Sequence, residues 1–360
     1  MKKLFYFAAA AVALAACAKN EVIPVNSGEN QEITFNVAPK TKADPGTQAF
    51  NTNWNFKAYA YYYAEGNTPK LYIDKAVVSH HTIDSKSVWK SDTPYYWPKN
   101  GTLTFFAWTS LKENVATPAN TAVSTFDGVT CDATNGIKAD DYDVTANKNI
   151  DFLVADVVSD QRANKNTYGL DGVPTLFRHK LSYVVFKVNT LKDYSTDGKK
   201  FTLNYIKFNK IEHKGTYKQL PTEDWAIEPS DKTEQTYIGT DKVFGYVDPA
   251  SEIPALTTDE TQNYYLPQTF GTSEELEIKY TITTTTGTGT AAKTSDDVVT
   301  KKIVLNPASV GGVTPSSLFT KWERGKKYTV TLTFSLDEIY WDPAVENWDP
   351  VDAPTSGLTI

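Results

Sequence analysis

Apolar and polar residues alternate with a period of two over several short stretches of this chain, and each stretch predicts a half-buried β-strand. Ile33, Phe35 and Val37 alternate with Thr34 and Asn36, and Trp54, Phe56, Ala58 and Ala60 alternate with Asn55, Lys57 and Tyr59. Leu103, Phe105 and Ala107 alternate with Thr102 and Thr104, and Phe152-Leu153-Val154-Ala155 forms a short apolar run. In the second half, Val184, Phe186 and Val188 oppose Tyr183, Val185 and Lys187, a strand covered on both sides. Leu203 and Tyr205 give way to Ile206 and Phe208, and the change of face by one residue predicts a β-bulge. The cleanest alternations are Leu276-Ile278-Tyr280-Ile282 and Tyr328-Val330-Leu332-Phe334. They predict antiparallel sheets with one wet face. Thr283 to Thr290, broken by Gly287 and Gly289, reads as a hairpin end. No dozen-residue stretch repeats at i, i+3, i+4, so the expected fold class is all-β, with two tandem antiparallel β-sandwich domains. The polar, glycine-bearing stretch 161–172 places the boundary, giving domains at 47–174 and 175–360.

Composition agrees with strands rather than helical bundles: 21 Tyr, 17 Phe and 8 Trp stand against a single Met. A net charge of −7 leaves no basic footprint for nucleic acid. The first seventeen residues change the picture more. Lys2 and Lys3 precede an apolar run, Leu4 to Leu14, that closes on Leu14-Ala15-Ala16-Cys17. That is a secretory signal (1–17) ending in a lipobox, with the Cys17 thiol as the group that takes the lipid. An ordinary signal peptide with a cysteine at its cleavage site is the plain alternative. With Cys17 acylated, Cys131 has no partner for a disulfide, and the lipid is the only expected contact with membrane. Residues 18–46 then read as a tether, the first strand and a cleavable loop. That loop carries Pro39, Pro45 and Gly46 together with Lys40 and Lys42, the expected sites of proteolytic processing.

Candidate chemistry is sparse. His80 and His81, adjacent on a strand, point to opposite faces and do not chelate one metal easily. His179 reads as packing at a strand start, Asp140, Asp141 and Asp143 as a solvated turn, and Cys131 as a buried, inert thiol. There is no G-x-S-x-G, phosphate loop or H-E-x-x-H, so no enzyme activity, cofactor or metal is expected. Trp89, Trp97 and Trp225 lie in turn-rich surroundings and read either as buried loop anchors or as a stacking platform for glycans.

Several motifs in order along the chain carry a resemblance. They are the lipobox at Cys17, Ile33-Thr34-Phe35 with Thr41-Lys42-Ala43, Tyr95-Tyr96-Trp97-Pro98 before Leu103-Thr104-Phe105, and Asp151-Phe152-Leu153-Val154-Ala155. Phe177-Arg178-His179-Lys180-Leu181-Ser182, Tyr265-Leu266-Pro267-Gln268, Trp322-Glu323-Arg324-Gly325 and Trp348 follow. Together they resemble the fimbrillin family, the type V pilin lipoproteins of Bacteroidales, Mfa-like and FimA-like. The resemblance implies two transthyretin-like sandwiches and a pilus subunit at the outer membrane, cell surface and fimbrium. It also implies a trypsin-like protease that removes the first strand, and other pilin subunits, in a homo- or hetero-polymer, whose C-terminal strand fills the groove left by Ile33, Phe35 and Val37. The family's cleavage residue is commonly Arg, whereas this loop offers only Lys40 and Lys42 and the first Arg is Arg162. The expected donor strand is Ile339, Trp341, Val345 and Trp348, continuing to Leu358 and Ile360. The alternatives are that this segment completes its own sheet, and that the protein is a non-polymerising surface lipoprotein or a pilus-tip adhesin for a glycan or host protein.

Overall fold

The alternating stretches all become strands in the computed structural model, which describes residues 23, 32–37, 50–66, 68–83, 86–112, 121–122, 128–162, 172–227, 231–257, 261–308 and 317–348. The chain is nearly all β, with only two short 3-10 turns and no α-helix among the described residues, and so no helix there long and apolar enough to cross a membrane.

In the second half, a four-strand layer and a five-strand layer face each other. One runs Tyr264–Tyr265, Ser182–Thr190, Lys326–Phe334, Ile339–Asn347, and the other Lys232–Ile238, Lys199–Glu212, Glu275–Thr286, Lys293–Val304, with Lys242–Phe244 added to Lys199–Glu212. Their inward residues are the predicted ones. Val184, Phe186, Tyr328, Val330, Leu332 and Phe334 meet Leu203, Ile206, Phe208, Leu276, Ile278 and Tyr280 in one apolar core. The predicted bulge is present and sits at Asn204, where the ladder passes from Leu203↔Tyr280 to Tyr205↔Lys279. The extra residue lets Leu203 and Ile206 both point inward and turns Tyr205 half outward.

The first half is built around a long, curled sheet. Its order is Val173–Thr175, Phe35–Val37, Lys86–Ser91, Lys70–Ile83, Asn55–Tyr63, Thr102–Lys112, Ile150–Ala155, Phe177–His179. It folds over its own apolar face, so Phe35 meets Phe56 and Phe105 edge-on at 5.5 and 5.9 Å although two strands separate Phe35–Val37 from Asn55–Tyr63 in the pairing order. The opposite face is covered too. Tyr59, Tyr61, Phe106 and Trp108 enter a second core beneath the sheet Asp224–Ile227, Lys214–Lys218, Gly136–Asp143, Val129–Asp132.

Three features depart from the sequence reading. Strands Asn55–Tyr63 and Thr102–Lys112 are buried on both faces rather than one, because a second layer lies outside them. Among the described residues two pairings are parallel, Ser182–Thr190 with Lys326–Phe334 and Phe35–Val37 with Val173–Thr175. Sheet pairing also crosses the expected boundary after residue 174. The hairpin Lys214–Lys218 and Asp224–Ile227 leaves the end of Lys199–Glu212, and its first strand pairs with Gly136–Asp143 of the first half.

Candidate functional site

The first strand is seated in a slot. Phe35–Val37 runs parallel to Val173–Thr175 on one side and meets Trp89 of Lys86–Ser91 on the other. The Ile33 amide donates to the Tyr95 carbonyl at 2.7 Å, the Val173 amide donates to the Thr34 carbonyl at 2.7 Å, and Glu32 pairs with Lys90 at 3.3 Å. Ile33, Phe35 and Val37 are 1%, 4% and 9% exposed, so the predicted alternation is realised as a row of three apolar plugs. Burial of each such side chain is worth roughly 1.5–3 kcal/mol. Taking this strand out of the slot exposes the two flanking backbone edges and an apolar trench, a template for another strand. Sequence reasoning found the plug and missed one wall of the slot: Val173-Pro174-Thr175 is too short to show alternation, and only the tertiary pairing places it there.

The last described strand, Ile339–Asn347, lies at the open edge of its sheet and pairs along its whole length with Lys326–Phe334, from Phe334↔Ile339 to Lys326↔Asn347. Ile339 is buried and Trp341 half-buried, whereas Val345 is 56% exposed. Trp348, just beyond, is buried against His179, Tyr183 and Tyr264. Pro343 has no amide proton to give to a neighbour, which limits what can pair along this edge. Among the predicted site residues, Cys17, Lys40, Lys42, Leu358 and Ile360 lie outside the described residues.

The glycan platform is not formed. Trp89, Trp97 and Trp225 are 6%, 3% and 7% exposed, and the Trp225 indole donates to the Lys180 carbonyl at 2.7 Å. All three are core anchors: Trp89 on strand Lys86–Ser91 and Trp97 just after it enter the core inside the curled sheet, and Trp225 on strand Asp224–Ile227 enters the core under the second layer. The ionisable candidates are likewise engaged locally. His80 bonds Ser87 at 2.7 Å and His81 bonds Ser79 at 3.1 Å, each on its own side. Asp140 pairs with Lys138 at 2.7 Å, and the Asp143 carboxylate accepts the Thr145 amide at 2.8 Å. Burial, with the Asp132 and Asp74 carboxylates nearby, pushes the Cys131 thiol well above its usual range, which removes the thiolate a nucleophile needs. Among the described residues no group of three or more His, Cys, Asp or Glu is placed to hold a metal.

Three consecutive side chains at the end of Phe177–His179, Arg178, His179 and Lys180, each take a different carboxylate. Arg178 reaches Asp156 at 3.0 Å, His179 Nδ1 lies 2.6 Å from Asp151, and the Lys180 ammonium lies 2.7 Å from Glu223. Burial alone would raise the Glu223 carboxyl, but Lys180, Tyr217 and Arg324 override it and hold it below the ordinary carboxylate range. These pairs tie the curled sheet, the crossing hairpin and the turn before Lys326–Phe334 at one place. Nothing in the spacing of Arg178-His179-Lys180 announces this, because all three partners come from distant sequence.

No curated protein of assigned function matches the chain. Among solved structures it is similar to a fimbrial protein from Bacteroides vulgatus, with a TM-score of 0.60 and 21% identity over 89% of this chain and 100% of that one. It is also similar to a candidate cell adhesion protein from Bacteroides uniformis, with a TM-score of 0.51 and 15% identity over 88% and 99% of the two chains. At such identities the likeness is one of fold. The family model described as fimbrillin-like matches residues 41–348, ending at the buried Trp348. The chain therefore belongs to the fimbrillin-like family.

Proposed function

We propose that this protein is a structural subunit of a surface pilus, carried to the outer membrane as a lipoprotein on Cys17 and polymerised by donor-strand exchange after a trypsin-like protease cuts behind Lys42 or Lys40. Family membership supports a pilus or adhesion role at the cell surface, in association with other pilin subunits. The observation that carries the finer reading is the slot. A three-residue strand with both neighbours' edges pressed against it and all its apolar side chains buried is followed within five residues by Lys40 and Lys42. Once cut, that strand is held only by non-covalent contacts, and an incoming strand with the same alternation replaces them pair for pair. The occupant comes from the C-terminal segment of another subunit, Ile339 onward to Ile360. No catalytic step or cofactor enters this scheme.

The test is limited trypsin digestion of the purified chain, followed by N-terminal sequencing and a denaturing gel without boiling. The expected result is a limit fragment beginning at Ala43 and a ladder of denaturation-resistant multimers. A limit fragment that retains Ile33 to Val37, or one that loses them and stays monomeric, would instead favour a non-polymerising surface protein. In cells, Cys17→Ser is expected to leave the detergent-rich phase on phase separation, which checks the lipid anchor separately.

A further inference from the structure

The last strand is held along its length by the backbone ladder to Lys326–Phe334 and by the Lys327–Glu346 pair at 2.6 Å, but its side chains are buried only toward the two ends. Ile339 is buried at one end, and from Asp342 to Asn347 every side chain is exposed. At the other end Trp348 is 5% exposed. Its ring lies on the His179 imidazole with centroids 3.5 Å apart and planes at 15°, and Tyr183 stacks alongside at 5.0 Å and 30°. Tyr264 closes the cluster at 5.6 Å, and the Trp348 amide donates to the Gly325 carbonyl at 2.7 Å.

The surface under Trp348 is held from below. His179 Nδ1 lies 2.6 Å from Asp151 Oδ2 with both side chains buried, so the imidazole is pinned against rotation. Its neighbours Arg178 and Lys180 are each tied to a separate carboxylate. The strand also belongs to one core and its terminal ring to another. Ile339 packs with the sandwich of the second half, whereas Trp348 packs with Trp225, Phe152 and Leu181 in the core under the curled sheet. Separating Trp348 therefore breaks a contact between two cores, while the strand behind it has few buried side chains to resist peeling.

We propose that Trp348, stacked on His179 and braced through it by Asp151, is a latch that governs whether the last strand can leave its own subunit. Unlatching at Trp348 precedes peeling, which runs from Asn347 back toward Ile339. The role in assembly rests on the donor-strand reading. The latch itself is a property of the monomer and is measured there.

Hydrogen–deuterium exchange on the intact chain reads the latch without any polymerisation. Trp348→Ala is expected to raise exchange of the Ile339–Asn347 amides about tenfold, the order expected for losing one buried aromatic stack, while Glu275–Thr286 and Asn55–Tyr63 keep their protection. Trp348→Phe, which keeps a stacking ring, is expected to restore most of the protection. Unchanged exchange in Ile339–Asn347, or an increase spread equally over all strands, overturns the latch. Should Trp348→Ala fail to fold, Trp348→Leu keeps apolar volume without the stack and carries the same comparison. The trypsin-trimmed proteins then separate the two ideas. If Trp348→Ala forms ladders faster than the parent, the latch acts in assembly, and if it forms them at the same rate, that role is overturned. If neither protein forms ladders, the pilus reading fails while the exchange result on the monomer still decides the latch.

Discussion

The Glu277 carboxylate accepts a hydrogen bond from the Tyr205 hydroxyl at 2.7 Å and from the Asn209 amide at 3.1 Å, with Lys302 and Lys207 at 3.3 and 3.4 Å. The Tyr205 bond, working against burial and joined by the other three, holds this carboxyl down to about 2. The folded value lies below the ordinary glutamate value of about 4.3. The stabilising contribution is therefore fully present above that value and is lost as pH falls toward 2. Urea melts are expected to show Glu277→Gln less stable than the parent at pH 7, with the gap closing between pH 4.5 and 2. A gap that persists unchanged at pH 2 would show that charge is not what Glu277 supplies. The network exists because the bulge at Asn204 turned Tyr205 outward, so a break in the sequence alternation marks a polar cluster that alternation itself does not describe. Gly172 is a second residue with one clear reason. Its φ is +79°, and a Cβ there would lie 2.7 Å from the Phe35 carbonyl carbon. Gly172→Ala combines left-handed backbone strain with a clash against the first strand, and a loss of about 1–3 kcal/mol is expected, read as a lower thermal midpoint.

At the scale of elements, the first and last strands differ in how they are held. The first is short and held by side chains, three of them buried in one core. The last is long and held by its backbone ladder and two end anchors. That contrast sets what truncation does. Deleting Val351–Ile360 leaves the ladder and Trp348 in place and is expected to leave the unfolding midpoint unchanged. Deleting Ser335–Ile360 removes Ile339 and Trp348 as well and uncovers the Lys326–Phe334 edge, so it is expected to lower the midpoint and abolish ladder formation. Ladders formed equally well by the chain lacking Ser335–Ile360 would place the donor strand elsewhere. Both strands were legible in the sequence from their alternation. Their neighbours were not, since Val173–Thr175 carries no pattern and the parallel pairing of Ser182–Thr190 with Lys326–Phe334 joins strands far apart in the chain.

Over the whole molecule, the hairpin that crosses from the second half is the joint. Tyr217 and Trp225 carry its aromatic contacts with Tyr142 and Phe152, and Gln219 bridges to the Ile137 amide at 3.0 Å and the Ala155 carbonyl at 2.8 Å. Glu223 in its turn binds Lys180 at 2.7 Å and Arg324 at 3.2 Å. Because the Lys180 side chain is only 5% exposed, Glu223→Ala strands a buried ammonium, and a loss of about 3 kcal/mol is expected in urea denaturation. Adding Lys180→Met to Glu223→Ala removes the stranded charge and is expected to recover part of that loss. A double variant no more stable than the single one would show that the joint depends on packing rather than on the pair.

The sequence by itself determined that the chain is all β, which residues of most strands share a face, and where one strand bulges. These follow from local spacing, since a period of two fixes side-chain direction whatever the partner. The resemblance carried by the ordered motifs, from Ile33-Thr34-Phe35 to Trp348, also led to the family. Only the tertiary structure decided what covers each face. It put a second layer over Tyr59, Tyr61, Phe106 and Trp108, buried the three tryptophans for which the sequence had also offered a platform, and sent residues 214–227 across the expected boundary. It also gave Arg178, His179 and Lys180 their separate carboxylates and laid Trp348 on His179. The reason is that alternation specifies a face to be covered and leaves the covering element open. That choice is made by which distant apolar surfaces and charges fit together once the chain has collapsed.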